Sequence, residues 1–409
     1  MRKFVKPELL APAGNLEKGK IALLYGADAI YMGGKQFGLR AFADNFDDSE
    51  MREMVEFAHA RGKKVYVTVN IFAHNDDLKG LPEYLKKVES IGVDALLVSD
   101  LGVWSICREV VPKMPLHVST QANTTNFASV EAWEKLGAAR VVLARELSLK
   151  EIDDIAQKTS VELECFVHGA MCISYSGRCL LSAYLTGRDG NRGACTQACR
   201  WKYSLVEESR PGQHFEMQEN ERGTFIMNSK DLCLIEYLPQ LMKSGIVSFK
   251  IEGRMKSAHY VATIVSVYRK AIDACYADVD NYFVPKEWLV ELEKVSHRPY
   301  STGFAVHKPD ENSQVYATST YEQTHDFVAW VLDWNSETKR VYLEQRNHLE
   351  AGEELEILMP DGTVMPLILT EMQDENGEPI TVAPHAQQHF SARCEQKVLK
   401  DSMVRRRIK

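Results

Sequence analysis

Short β-branched runs alternate with amphipathic stretches through the first two thirds of this chain. The runs are ELLAPAG at 8–14, AIYMGG at 29–34, KVYVTVNIF at 64–72, DALLVSD at 94–100, LHVSTQAN at 116–123, RVVLARE at 140–146, ELECFVHG at 162–169 and VSFKIEGR at 247–254, and each reads as a strand. Between them, DSEMREMVEFAHARG, LPEYLKKVESIG, NFASVEAWEKLG and SLKEIDDIAQKT carry the apolar spacing of helices. Gly26, Gly92, Gly137 and Gly245 stand just before the next strand, where a left-handed cap turns the chain back. Such alternation predicts parallel strands joined by right-handed crossovers. Eight units closed by a helix over SAHYVATIVSVYRKAIDACYA at 257–277 predict an α/β fold, a (β/α)8 TIM-like barrel over residues 1–285.

Past the barrel the pattern changes. A short helix and a turn-rich stretch predict a connector over 286–318. VYATSTY, DFVAWVLDW, RVYLEQ, ELEILMP, TVMPLILTEM and ITVAPH then predict six short strands of a small C-terminal all-β domain over 319–409. Residues 397–409 hold six Lys/Arg against one Asp. They read as a solvated tail free to fray, with contact to RNA phosphates as the alternative.

Composition narrows the classes. At 409 residues and 45% hydrophobic content the chain can bury a barrel-sized core and a smaller second one. A net charge of -8 excludes a uniformly basic nucleic-acid coat while leaving room for a local basic surface. No run of about 18 apolar residues occurs, so no membrane span is expected. The N-terminus, MRKFVKPELLAPAGN, has no signal-peptide core. Cysteines number nine, an odd count, and five sit singly in apolar segments, which suits free thiols in a cytoplasmic setting.

A barrel's chemistry is built at the C-terminal ends of its strands and in the loops after them. Here those ends are polar. They carry Asn70; Ser119, Gln121 and Asn123; Arg145 and Glu146; His168; and Lys250, Glu252, Arg254 and Lys256. Lys250, Arg254 and Lys256, on a segment taken as extended, are expected to project from one side and to suit a phosphate or carboxylate. Residues 14–20, GNLEKGK, approach a phosphate-binding loop, but Ile21 stands where a Ser or Thr would hold Mg, so a plain turn is expected.

Directly after the seventh strand, within an insertion over 168–230, four cysteines fall among glycines and polar residues: Cys172, Cys179, Cys195 and Cys199. A polar loop has no core in which to bury thiols, so metal ligation leads. Structural zinc sites bring ligands in close pairs, yet six residues separate the first two cysteines and fifteen the next two. Only the three-residue gap between Cys195 and Cys199 fits zinc. Spacing leaves an iron-sulfur cluster, zinc and uncoordinated thiols all open. Cys233 is a further candidate ligand, but it stands at the start of what reads as an apolar helix, DLCLIEYLPQLMKSG, where a buried thiol is ordinary.

The stretch ECFVHGAMCISYSGRCLLS at 164–182 resembles the diagnostic motif of peptidase family U32. ELLAPAGN, LRAFADNF at 39–46, HVSTQANTTN at 117–126, RGACTQACRWKY at 192–203 and KIEGRMKS at 250–257 extend the resemblance across the barrel. It implies a TIM barrel with a 4Fe-4S cluster on Cys172, Cys179, Cys195 and Cys199. Neither HExxH nor GxSxG occurs, and no Cys-His pairing stands out beyond His168. Hydrolysis, a U32-type peptidase, is therefore the alternative to oxygen-independent hydroxylation. The branch with a C-terminal extension implies 5-hydroxyuridine formation at the tRNA wobble position, with prephenate as co-substrate and an unidentified electron donor. A ribosomal RNA hydroxylase is the other alternative. From their place at the rim, Arg254, Lys256 and Arg145 are expected to hold that small dicarboxylic acid, His168 to shuttle a proton, and Gln121 or Asn123 to read a base of the anticodon loop. Lys250 and Glu252 complete the expected catalytic set, and Asn70 and Ser119 the substrate-binding one.

Overall fold

The computed structural model describes residues 4–38, 44–172, 179–188, 190, 194–201, 205–206, 214–215, 219–220, 223–224, 229–307 and 321–408. Eight parallel strands close into a barrel: β1 (Glu8–Pro12), β2 (Ala29–Gly33), β3 (Lys64–Val69), β4 (Ala95–Val98), β5 (Leu116–Val118), β6 (Arg140–Val142), β7 (Glu162–Gly169) and β9 (Ser248–Ile251). Closure comes from β9, which pairs in parallel with both β1 and β7. A further short strand, β8 (Asp231–Cys233), runs antiparallel to the end of β7.

Local chemistry explains where the helices begin and end. Asn15 caps α1 (Leu16–Leu24), so the GNLEKGK stretch is a turn into a helix. Capping boxes start α2 (Asp48–His59), through Asp47 and Glu50, and α6 (Leu149–Lys158), through Ser148 and Glu151. Proline in the first turn opens α3 (Leu81–Ile91). All four glycines expected to turn the chain back have positive φ, from 80° at Gly245 to 112° at Gly26. The remaining outer helices are α4 (Leu101–Val110), α5 (Phe127–Lys135), α8 (Leu238–Lys243) and the long α9 (Ala258–Ala277), with the short α7 (Leu181–Thr186) inside the cysteine-rich insertion.

The connector is part of the fold. It forms α10 (Lys286–Leu292) and β10 (Tyr300–Ser301), which pairs with β8. Arg298 is buried against Asp231, with its Nε 2.9 Å from Oδ1. That pair fastens the connector beside the end of β7.

The C-terminal unit is a seven-stranded antiparallel sheet: β11 (His325–Asn335), β12 (Arg340–Gln345), β13 (Glu354–Leu358), β14 (Val364–Ile368), β15 (Gln373–Asp374), β16 (His389–Arg393) and β17 (Met403–Arg407). Four of the expected strands appear as β11 to β14. ITVAPH contributes only the two-residue pair Val382–Ala383, and 315–320 of VYATSTY lie outside the described residues. The basic tail overturns its expectation, because β17 lies between β13 and β11 in the sheet. Met403 and Val404 are buried, and Arg405 donates to Glu291 of α10 at 2.9 Å and to Glu356 at 3.1 Å. The Arg405 charge is thus a buried cross-link, and the tail's basic count hides a strand whose first three residues are buried. The sheet packs along α1, where Tyr25 donates to the carbonyls of Leu358 and Asp401, both at 3.0 Å.

Candidate functional site

The strands deliver polar residues to one barrel mouth, and each is held by its own neighbours. Asn70, just after β3, donates to Ser119 Oγ at 3.0 Å. The run expected as a strand through 123 stops at Val118. Ser119 caps a 3-10 turn over Thr120–Ala122, and Asn123 is left-handed with φ 53°. Serine and asparagine satisfy local backbone groups at the cost of the ladder, so the strand gives way to a rim loop. Gln121 and Asn123 are half-buried on that loop.

Arg145, after β6, donates to the Ala170 carbonyl at 2.7 Å, and its guanidinium stands 5.1 Å from the Phe166 ring. It therefore braces the base of the cysteine-rich insertion. Gly169 has φ 111°, and a Cβ there would fall 2.5 Å from the Glu252 carbonyl oxygen, so only glycine lets β7 and β9 approach this closely. The Tyr31 hydroxyl donates to the Ile251 carbonyl at 3.0 Å and lies 3.4 Å from Glu252 Oε2.

Lys250, Arg254 and Lys256 do not form the expected trio. β9 ends at Ile251 and a turn follows, so strand alternation fails beyond it. Lys250 points into the barrel and pairs with Glu164 at 3.1 Å, both buried. Arg254 lies buried at the mouth over Gly33, 2.6 Å from Asn45 Oδ1 and 3.4 Å from Thr68 Oγ1. Lys256 turns to the connector, donating to the Ser296 carbonyl at 2.8 Å and standing 4.0 Å from the Tyr321 ring. One lysine braces the interior, one arginine faces the mouth and one lysine fastens the connector.

His168 is 1% exposed, with Nδ1 3.3 Å from the Tyr268 hydroxyl and its ring packed on Tyr268 and Tyr300. Burial pulls its pKa down to about 3, with Asp231 working the other way. It is therefore neutral at physiological pH, against the expected proton shuttle. Cys233 sits in β8, a strand where a helix was expected, opposite His168. Burial raises its thiol pKa, and the Tyr268 hydroxyl lies 3.7 Å from the sulfur. A half-buried thiol whose pKa is raised, beside a neutral imidazole, lacks the thiolate that a cysteine peptidase needs.

His117 and His259 share this state, each pulled to about 3 by burial first. An unfolded chain binds a proton at each of the three below about pH 6.5, and the folded chain does not. Stability is thus full above that value and falls as pH is lowered toward 3, by roughly 1.4 kcal/mol per pH unit for each histidine. A denaturation midpoint followed from about pH 7.5 to about pH 5 should drop, and His259→Gln should make the drop shallower.

Several buried polar atoms at the mouth have no hydrogen-bond partner among the described residues: Asn70 Oδ1, Thr124 Oγ1, Arg145 Nε, His168 Nε2 and Thr302 Oγ1. Such atoms are what a polar ligand satisfies. Asn45, Thr68, Thr124 and Thr302 were not legible as site residues. Thr68 carried a faint signal as an inward position of β3, whereas Thr302 arrives through the connector.

Of the four insertion cysteines, Cys195 is exposed and Cys172, Cys179 and Cys199 are half-buried. Backbone N–H groups of Leu181 and Gln197 donate to Cys179 Sγ at 3.4 Å and Cys195 Sγ at 3.3 Å. Ser182 ties the two cysteine segments together, accepting from Thr196 N at 3.0 Å. Among the described residues no three metal-binding side chains already stand together as an ion site. The donor set fits an iron-sulfur centre in kind: four cysteine sulfurs, two of them with amide donors that steady thiolate charge. Residues 173–178 of the insertion lie outside the described residues.

The family model described as peptidase family U32 matches residues 14–315, and that of the peptidase family U32 C-terminal domain matches 323–405. The chain is 45% identical to tRNA hydroxylation protein P1 of Bacillus subtilis (strain 168), over 98% of this chain and 95% of that one. It is 39% identical to tRNA hydroxylation protein P of Escherichia coli (strain K12), over 93% and 92%. A 23S rRNA 5-hydroxycytidine synthase of Escherichia coli (strain K12) is 36% identical over 71% of this chain and 44% of its own length. No described helix is long and apolar enough to cross a membrane.

Proposed function

From the premise that this chain belongs to peptidase family U32, we propose that it is a tRNA hydroxylase that forms 5-hydroxyuridine at the anticodon wobble position in the cytoplasm. The observation that carries the reading is near full-length similarity, C-terminal domain included, to proteins named for tRNA hydroxylation. The mouth suits the substrate, since a wobble base is already unpaired and can enter without the cost of opening a duplex. Buried acceptors and donors left open at Asn70, Thr124 and Thr302 offer hydrogen bonds to its edge.

Prephenate is the proposed co-substrate. Arg254 and Arg145 bring guanidinium groups to the mouth, and charge-assisted contacts to carboxylates are their chemistry. Cys172, Cys179, Cys195 and Cys199 would hold a 4Fe-4S cluster, which would supply one-electron chemistry next to the bound base. Glu252, Ser119, Gln121 and Asn123 then shape and orient, while Lys250 and Lys256 hold the frame.

Nucleoside mass spectrometry on tRNA tests the reading. Deleting the gene should remove 5-hydroxyuridine, the wild-type gene should restore it, and Arg254→Ala should fail to restore it while the protein accumulates normally. An unchanged tRNA profile with a lost ribosomal 5-hydroxycytidine would transfer the activity to ribosomal RNA, which the similarity to the rRNA synthase keeps as the second reading.

A further inference from the structure

The segment that carries Cys179 to Cys199 exposes an unusual surface. Ser182 faces inward, 2% exposed, and accepts from Thr196 N while donating to the Arg188 carbonyl at 2.6 Å. With that face pinned, α7 turns the opposite one to solvent. Tyr184 is 87% exposed, Leu180 75%, and Trp201 42%, the last directly after the turn over Ala198–Arg200 that packs against α7. Tyr184 stands almost wholly in solvent and Trp201 partly so, and exposed apolar groups gathered on one folded segment mark a contact surface. The amino-acid sequence of this stretch is also basic. Residues 172–203 hold five Lys/Arg against one Asp in a chain whose net charge is -8.

We propose that Tyr184 and Trp201 form a stacking platform for unpaired RNA bases, beside the mouth and against the cysteine segment. Aromatic faces flanked by positive charge are the general solution for single-stranded nucleic acid, because every base has a π-face and every nucleotide a phosphate. A duplex offers no free base faces, so the platform selects a loop. The inference rests on the tRNA reading above and names the surface that grips the nucleotides around the reacting base. A protein electron donor is the other occupant an apolar patch could take. The excess of positive charge and the two flat rings favour RNA.

The test is fluorescence anisotropy with the full chain purified anaerobically. Its probes are an unmodified anticodon stem-loop RNA and the same stem closed as a blunt duplex. The wild type should bind the stem-loop more tightly than the duplex. Tyr184→Ala and Trp201→Ala should each weaken stem-loop binding about tenfold to a hundredfold and leave duplex binding unchanged. Tyr184→Phe should bind within about twofold of wild type, since stacking needs the ring and not the hydroxyl. Wild-type affinity in both alanine variants, with their circular dichroism unchanged, overturns the platform. So does full RNA affinity combined with lost hydroxylation in cells, which assigns the patch to a redox protein. Failure of the wild type to bind the stem-loop at all is a separate result, and it overturns the tRNA reading itself.

Discussion

Cys195→Ser and, separately, Cys179→Ser are expected to remove most of the iron from anaerobically purified protein and to reduce wobble 5-hydroxyuridine in a complemented deletion strain to background. Iron-sulfur clusters are held by soft thiolates, and a serine hydroxyl neither ionises near neutral pH nor matches sulfur in softness. Both sulfurs already accept a backbone amide, from Gln197 and Leu181, so each site is prepared for negative charge. Gly190 packs on Cys195, where an added Cβ would stand 3.3 Å from the Cys195 Cβ, which leaves little slack for a substitute geometry. Cys107→Ala is the matched control. That thiol is buried in α4, with burial first raising its pKa to about 12, and its loss should leave iron content unchanged. Wild-type protein should be brown, with about four irons per chain. A colourless protein with one zinc would instead establish a structural staple, and full iron in both serine variants would remove these cysteines from the ligand set.

The barrel was legible because its signal is local. A β-branched run, an amphipathic helix and a glycine before the next strand each span a few residues, and each reports burial on one face. That is why all eight strands and all four turning glycines were found. The site was legible only as a set of strand ends. Where each side chain points depends on where its strand stops, and Ser119 and Gly253 end theirs by turn chemistry that period counting does not see. The partners that decide a charge's role come from elsewhere in the chain: Glu164 lies 86 residues from Lys250, Asn45 lies 209 from Arg254, and Glu291 lies 114 from Arg405. The same blindness made a buried strand look like a fraying tail, since its arginines are conspicuous in sequence and their carboxylates are remote. For the cysteines the limit is different: spacing alone could not choose the metal, and residue type with amide donors supports sulfur ligation without naming the cluster.

Glu164→Gln is expected to be among the most destabilising single changes in the barrel, costing about 3–5 kcal/mol. Glu164 is fully buried and joins Lys250 at 3.1 Å to Arg140 at 3.2 Å. Arg140 continues to Glu8 at 2.6 Å, and Glu8 accepts from the Tyr66 hydroxyl at 2.8 Å, so the lower barrel interior is one ionic layer. Burial alone pushes the Glu164 carboxyl up, but Lys250 and Arg140 outweigh it and hold the pKa below the ordinary range. Its stabilisation is therefore present above the ordinary carboxylate pKa and is lost as pH falls below it, a dependence that glutamine abolishes. In Glu164→Gln the Arg140 charge keeps Glu8 and Glu162, whereas Lys250 is left buried with no carboxylate, against the Tyr31 and Phe166 rings. Removing that cation as well should restore much of the loss, because an apolar replacement of a buried pair often matches it in stability. Chemical denaturation of Glu164→Gln, Lys250→Met and the double variant measures the coupling. The double variant also decides the role of Lys250. If the lysine only neutralises Glu164, the refolded double variant hydroxylates tRNA. If Lys250 acts on substrate, stability returns while 5-hydroxyuridine stays absent, and the lysine belongs in the catalytic set after all.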